Sequence, residues 1–154
     1  MKYFIYWILI IPWWAVAQDT IYYDQGTVKA KGIIENDLRE GKWIFYYPEG
    51  QLNAVFQYAE GQLSGIQYYF DWDGDTLAIE SWDEDLLEGS SRYFHTNGKL
   101  EKFGEYQDGM YEGKWKFYDE EGNKIREGFY HKAHKVVTGY NLSAKKLQEY
   151  CLQD

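Results

Sequence analysis

Glycine sets the frame of this chain. It stands at 41, 65, 89 and 113, and again at 50, 74, 98 and 122, so that ten-residue stretches recur every 24 residues. Each stretch carries an aromatic pair: Phe45 and Tyr46, Tyr69 and Phe70, Tyr93 and Phe94, Phe117 and Tyr118. Ile21, Tyr22 and Gly26 fall in the same register and make a partial earlier copy. A fixed period between about 20 and 50 residues marks a repeat architecture, in which each unit buries its apolar surface against its neighbours.

Each unit reads as two strands and two turns. The first strand, such as Lys42 to Tyr47, is rich in aromatic and β-branched residues. A turn follows with Gly at 50, 74, 98 or 122, where positive φ costs no steric strain. The second strands run Leu52–Tyr58, Leu77–Trp82, Leu100–Tyr106 and Ile125–Tyr130, each closed by an aromatic residue. The turn back keeps Gly at 61 and 109 but has Asp85 and Ala133 in the other two copies. Short strands with tight turns pair antiparallel with their neighbours. Twenty-four residues are too few for a propeller blade of about 40 to 45, and leave no room for a crossover helix. The fold class predicted is therefore all-β: an elongated antiparallel β-hairpin repeat array, a single-layer meander closed by a short C-terminal helix. Adjacent aromatic residues point to opposite faces of such a sheet, so both faces are partly aromatic.

Three segments are predicted along the chain. Residues 1–17 have a basic start at Lys2, an apolar run from Tyr3 to Trp14, and Ala15, Val16 and Ala17 as a small-x-small cleavage pattern. The apolar run is shorter than the roughly 20 residues that span a bilayer, so a signal peptide cleaved after Ala17 is predicted, and with it a secreted or periplasmic location. Residues 18–136 hold the repeats, with units starting near 17, 41, 65, 89 and 113. Residues 137–154 form the cap: Ser143 is an N-cap candidate, and Ala144, Leu147 and Cys151 share one helical face.

Charge narrows the partners. The formal net charge is -9, and loss of residues 1–17 removes one Lys and makes it -10. Nucleic acid is bound by clusters of Lys and Arg, so it is excluded as a partner. An anionic membrane surface is disfavoured for the same reason. The chain is expected to be a monomer with an unidentified protein partner.

The constellations that could carry chemistry are thin. Asp71, Asp73 and Asp75 resemble the start of a calcium loop, but Thr76 and Trp82 stand where an EF-hand needs Gly and Glu. Turn chemistry explains these acids better. His131 and His134 lack the further ligands that zinc requires, and His95 lies in another unit. No G-x-S-x-G elbow surrounds Ser64, Ser81, Ser90, Ser91 or Ser143, and the glycines are spaced by repeat rather than clustered for phosphate. Cys151 has no partner for an internal disulfide. Asn141, Leu142 and Ser143 form an N-glycosylation sequon, relevant only to a eukaryotic secreted protein. No catalytic residue, metal or cofactor is predicted. The remaining candidates are aromatic: Trp43, Tyr47, Tyr69, Tyr93, Trp115 and Tyr118. They either line a surface that grips a protein partner, since Tyr and Trp are frequent anchors, or pack on one another to hold a thin sheet.

Residues Tyr106–Gly122, with Gly109, Gly113 and Trp115, resemble a MORN repeat of the variant form common in bacteria, and Tyr58, Gly61, Gly65 and Gly74 repeat the pattern. Asp85 in place of Gly, and Ser90 with Ser91 in place of Lys and Trp, depart from it. The resemblance implies a non-catalytic β-hairpin array used for protein or membrane association, and some such proteins resemble antitoxin or immunity partners of toxins. Two functions follow as expectations: a protein-binding module, antitoxin-like in its most specific form, or a structural scaffold of the cell envelope that binds glycan, lipid or envelope proteins.

Overall fold

The computed structural model describes residues 18–132. The signal peptide and the capping helix predicted above lie outside the described residues. Among those described, the chain forms β1 (Asp19–Tyr22), β2 (Val28–Glu35), β3 (Leu38–Tyr46), β4 (Leu52–Ala59), β5 (Gln62–Leu63), β6 (Gly65–Phe70), β7 (Thr76–Asp83), β8 (Leu86–Leu87), β9 (Gly89–Phe94), β10 (Leu100–Gln107), β11 (Met110–Tyr118) and β12 (Lys124–Tyr130), with no helix. All twelve strands belong to one open antiparallel sheet in the order β1-β2-β3-β4-β6-β7-β9-β10-β11-β12, with β5 on β4 and β8 on β7. The meander follows chain order because every connection is too short to do anything else.

Two kinds of turn build it. In the first, Gly50 N–H donates to the Tyr47 carbonyl at 2.9 Å and Tyr47 N–H to the Gln51 carbonyl at 2.8 Å, with Gly50 at φ 98°. The equivalent bonds close the turns at Gly26, Gly74, Gly98 and Gly122. In the second kind both central residues have positive φ, as the right-handed twist of a two-residue hairpin demands. Here Asn36 and Asp37 (50° and 64°) or Glu84 and Asp85 (47° and 65°) do what Glu60–Gly61 and Asp108–Gly109 do elsewhere. Asn and Asp tolerate the left-handed region, which is why this turn dispenses with Gly.

Side-chain and backbone rungs tie successive turns together. Along one edge the Tyr23 hydroxyl donates to the Tyr46 carbonyl at 2.8 Å, the Tyr47 hydroxyl to the Phe70 carbonyl at 2.9 Å, and His95 Nε2 to the Tyr118 carbonyl at 3.0 Å. Asp71 holds the matching place in the unit between. It caps its own turn instead, accepting from Asp73 N–H and Asp75 N–H at 3.0 and 2.9 Å. Along the other edge Glu40, Glu88 and Glu112 accept from the backbone N–H of Glu60, Asp108 and Lys132.

The repeat is less uniform than the sequence suggests. β3 and β11 run unbroken for nine residues, whereas the matching stretches split into β5 with β6 and β8 with β9. The expectation of one regular 24-residue structural unit is corrected accordingly.

Candidate functional site

Cross-strand register defines three rows. On the face that bears Trp43, one row runs Ala30, Phe45, Ala54, Tyr69, Ala78, Tyr93, Lys102, Phe117, Arg126. In its first part small residues alternate with rings, so that Phe45, Tyr69 and Tyr93 each stand beside an alanine. The last two small residues are replaced by cations: Lys102 Nζ sits 4.3 Å from the Tyr93 ring centre, and the Arg126 guanidinium 3.8 Å from that of Phe117. Beside it lies a second row on the same face, containing Trp43 and Phe56, Gln67 and Glu80, Ser91 and Gly104, Trp115 and Gly128. The opposite face carries Lys31, Ile44, Val55, Tyr68, Ile79, Arg92, Phe103, Lys116 and Glu127 in register.

The second row differs between the outer and the middle units. Trp43 and Trp115 are fully buried, at 0% exposure. Each indole lies against a glycine of the preceding strand: a Cβ on Gly32 would meet Trp43 at 2.2 Å, and one on Gly104 would meet Trp115 at 2.3 Å. The register slips at both glycines, and the indole N–H fills the gap by donating to the next carbonyl, Ile33 at 3.1 Å and Glu105 at 2.9 Å. Arg39 lies 5.0 Å over Trp43, and Tyr111 stacks on Trp115 at 4.1 Å. In the middle units the place of the indole is taken by Gln67 and Ser91. Gln67 folds onto the backbone, accepting from Gln57 N–H at 2.7 Å and donating to the Gln57 carbonyl at 3.2 Å. It substitutes for ladder bonds between β4 and β6, whose pairing is confined to Ala54 with Tyr69 and Val55 with Tyr68.

Between the two tryptophans the face turns polar. Glu80 is 9% exposed. Its carboxylate accepts from Trp82 Nε1 at 3.0 Å and from the Tyr93 hydroxyl at 2.6 Å. The Tyr93 and Tyr106 hydroxyls lie 3.0 Å apart. Burial, then the hydrogen bonds to Glu80 and Tyr106, push the Tyr93 phenol far above its ordinary value. Burial first and the Glu80 charge second do the same to Tyr69. Tyr106 is raised chiefly by burial, against the lowering effect of its bond to Tyr93. All three phenols are thereby held still further from ionising. Ser91 is buried with no hydrogen-bond partner for its hydroxyl.

The six aromatic candidates part company here. Trp43 and Trp115 present no surface to a partner, because both are sealed inside the sheet's own packing. Tyr47 is held by its bond to Phe70 and stacks at 3.9 Å on the exposed Trp72. Tyr118 stacks on Phe103 and borders an open recess with His95, Glu101 and Ile125. Tyr69 and Tyr93 are half-buried neighbours of Glu80 on the tryptophan face. The structure thus brings together Tyr69 and Tyr93 and separates the rest. Sequence reasoning passed over Glu80, Trp82, Gln67 and the glycines 32 and 104. Gly32 and Gly104 each precede a Trp by eleven residues, and that spacing was the available signal. His131 has Nδ1 3.2 Å from Glu112, and among the described residues no three metal-binding side chains gather.

A family model described as MORN repeat variant matches residues 39–60, 87–108 and 111–132. The match passes over residues 61–86, which include Gln67 and Glu80. MORN repeats are generally involved in protein or membrane binding. No curated protein matches the chain. Among solved structures, one similar chain is that of "Crystal structure of GtfA/B complex bound to UDP and GlcNAc", at 12% identity and a TM-score of 0.28. The likeness covers 72% of this chain, which spans 21% of that one.

Proposed function

We propose that the chain is a non-catalytic, secreted or periplasmic repeat protein that docks another protein on the tryptophan face, with neutralisation of a toxin as the most specific form of that role. The observation that supports this is the division of labour in the aromatic residues. Trp43 and Trp115 are sealed supports, while Tyr69, Tyr93 and Trp82 stay half-buried around a carboxylate. A face with rigid rings and a few placed polar groups is the usual make-up of a contact surface.

A tagged chain incubated with secreted, periplasmic and membrane fractions tests the proposal, with captured material read by mass spectrometry. One protein held in stoichiometric amount, and lost with Tyr69→Ala plus Tyr93→Ala while the circular dichroism stays β-like, is the expected outcome. Retention by that double variant with loss in Tyr68→Ala plus Arg92→Ala would move the site to the opposite face. Capture of envelope polymer, or of many proteins at low occupancy, would replace docking by an envelope scaffold.

A further inference from the structure

We propose that the place between Tyr69 and Tyr93, over Ala78 and beside the Glu80 carboxylate, receives an alkylammonium or guanidinium group from outside the chain: the side chain of a lysine or arginine on a basic partner. The inference rests on the docking role proposed above and names the chemistry of its central contact.

The repeat supplies its own controls. In the row of rings and small residues, the places matching Ala78 in the next two units hold Lys102 and Arg126. Both put a cation on a ring, at 4.3 Å over Tyr93 and 3.8 Å over Phe117. Cations are attracted to the faces of aromatic rings by the ring quadrupole. At Ala78 the flanking rings are Tyr69, which carries no cation, and Tyr93, which Lys102 already approaches, and between them the chain supplies only a methyl group. One unit earlier Ala54 also lies between rings, and there Phe56 closes the gap apolarly, 5.0 Å from Phe45 and 5.1 Å from Tyr69. Beside Ala78 the residue in the place of Phe56 is Glu80.

That carboxylate is peculiar to this unit. Its counterparts are Gly32, Phe56, Gly104 and Gly128, none of them charged. Glu80 is nine-tenths buried, and none of the four ion pairs among the described residues includes it. Two neutral donors hold it, Trp82 Nε1 and the Tyr93 hydroxyl. A buried charge without an opposite charge is costly, and a cation that arrives from outside relieves that cost. The neighbouring Ser91 hydroxyl, buried and unpartnered, is a further acceptor within the same row. The net charge of -9 favours a basic partner at longer range.

The test titrates the full chain with Nα-acetyl-lysine N-methylamide, Nα-acetyl-arginine N-methylamide, tetramethylammonium, and the neutral Nα-acetyl-norleucine N-methylamide. Ring resonances of Tyr69, Tyr93 and Trp82 are followed by NMR. The lysine and arginine amides should shift them, and the norleucine amide should not. Glu80→Gln should weaken that binding about ten-fold. Ala78→Lys should abolish it, by supplying the cation from within, and should raise the melting temperature. If Glu80→Gln fails to fold, Ala78→Lys still decides. No cation-specific shift at tens of millimolar, or unchanged binding in Ala78→Lys, overturns the proposal. Preference for tetramethylammonium over both amides would assign the place to a free quaternary amine and overturn the basic polypeptide. A captured protein without amide shifts would end this inference and leave docking intact. Amide shifts without any captured protein would do the reverse.

Discussion

The outer hairpins and the central ones solve one problem in two ways. In β2–β3 and β10–β11 a bulge opens at a glycine, and an indole lies across it and bonds the freed carbonyl. In the middle, Phe56 and Glu80 stand in place of those glycines, and a side chain there leaves no room for an indole. Gln67 instead sends an amide into the ladder, and Ser91 fills less space still. The outer solution is apolar and closed. The central one is polar and leaves rings half-exposed. A sheet of near-identical units can therefore stiffen its flanks and reserve its centre for another task.

The largest expected effect breaks the outer solution. Trp115→Ala or Trp43→Ala should cost about 3–5 kcal/mol, as for other large buried aromatics, read as a lower urea midpoint. Gly104→Ala should be severe too, about 1–3 kcal/mol or more, because its methyl would enter the Trp115 ring. Combined with Trp115→Ala, the glycine substitution should cost little further, since the ring it strikes is gone. Full additivity of the two changes would show that indole and glycine do not act as one device.

The next effect belongs to the centre. Gln67→Ala removes both bonds to Gln57 and strands a buried N–H and carbonyl, so a loss of about 1–3 kcal/mol is expected. Hydrogen exchange at Gln57 should rise with it. Gln67→Trp should not restore stability, because Phe56 holds, before residue 67, the place that Gly32 leaves open before Trp43. If Gln67→Trp proved as stable as the natural chain, the contrast between centre and flank would fail.

Ser91→Ala should lie near zero, or stabilise by up to about 1 kcal/mol, since it removes a buried hydroxyl that has no partner. A clear loss of stability would mean that Ser91 holds a bond the static structure does not show, and would bring the centre closer to the flanks in character.

These contrasts were only partly legible in the sequence. The all-β meander followed from turn glycines and short aromatic strands, because local spacing determines how a hairpin closes. Both turn types were visible in Gly50 and Gly61, though Asp85 showed that an acid can replace glycine at positive φ. The site was harder. Trp43 and Trp115 are large and aromatic, which suits a contact surface and a core alike, and only the depth of their packing against Gly32 and Gly104 decides. Ser91 was visible as a departure from the repeat, yet its neighbour Glu80 was one acid among 25 Asp and Glu. Burial singles it out, and burial depends on side chains three strands apart.

The smallest effect is a matter of pH at the edge of the sheet. Glu112 accepts from Lys132 N–H at 3.0 Å and lies 3.2 Å from His131 Nδ1. The backbone hydrogen bond first, and His131 next, hold its carboxyl below the usual value of 4.5. A carboxyl depressed in the folded state stabilises above its unfolded value, and that contribution is lost as pH falls through the folded one. Glu112 is partly exposed and its partner His131 lies at the surface, so solvent screens the effect. Glu112→Gln should therefore lower the urea midpoint slightly at neutral pH, and the two proteins should converge in acid, below the depressed value. The same rung is built at Glu40 and Glu88 on the Glu60 and Asp108 amides. Only at Glu112 does an imidazole stand beside it, so raising the salt concentration should shrink the difference at Glu112 by more than at Glu40. An equal response at both would show that the backbone amide alone sets the effect.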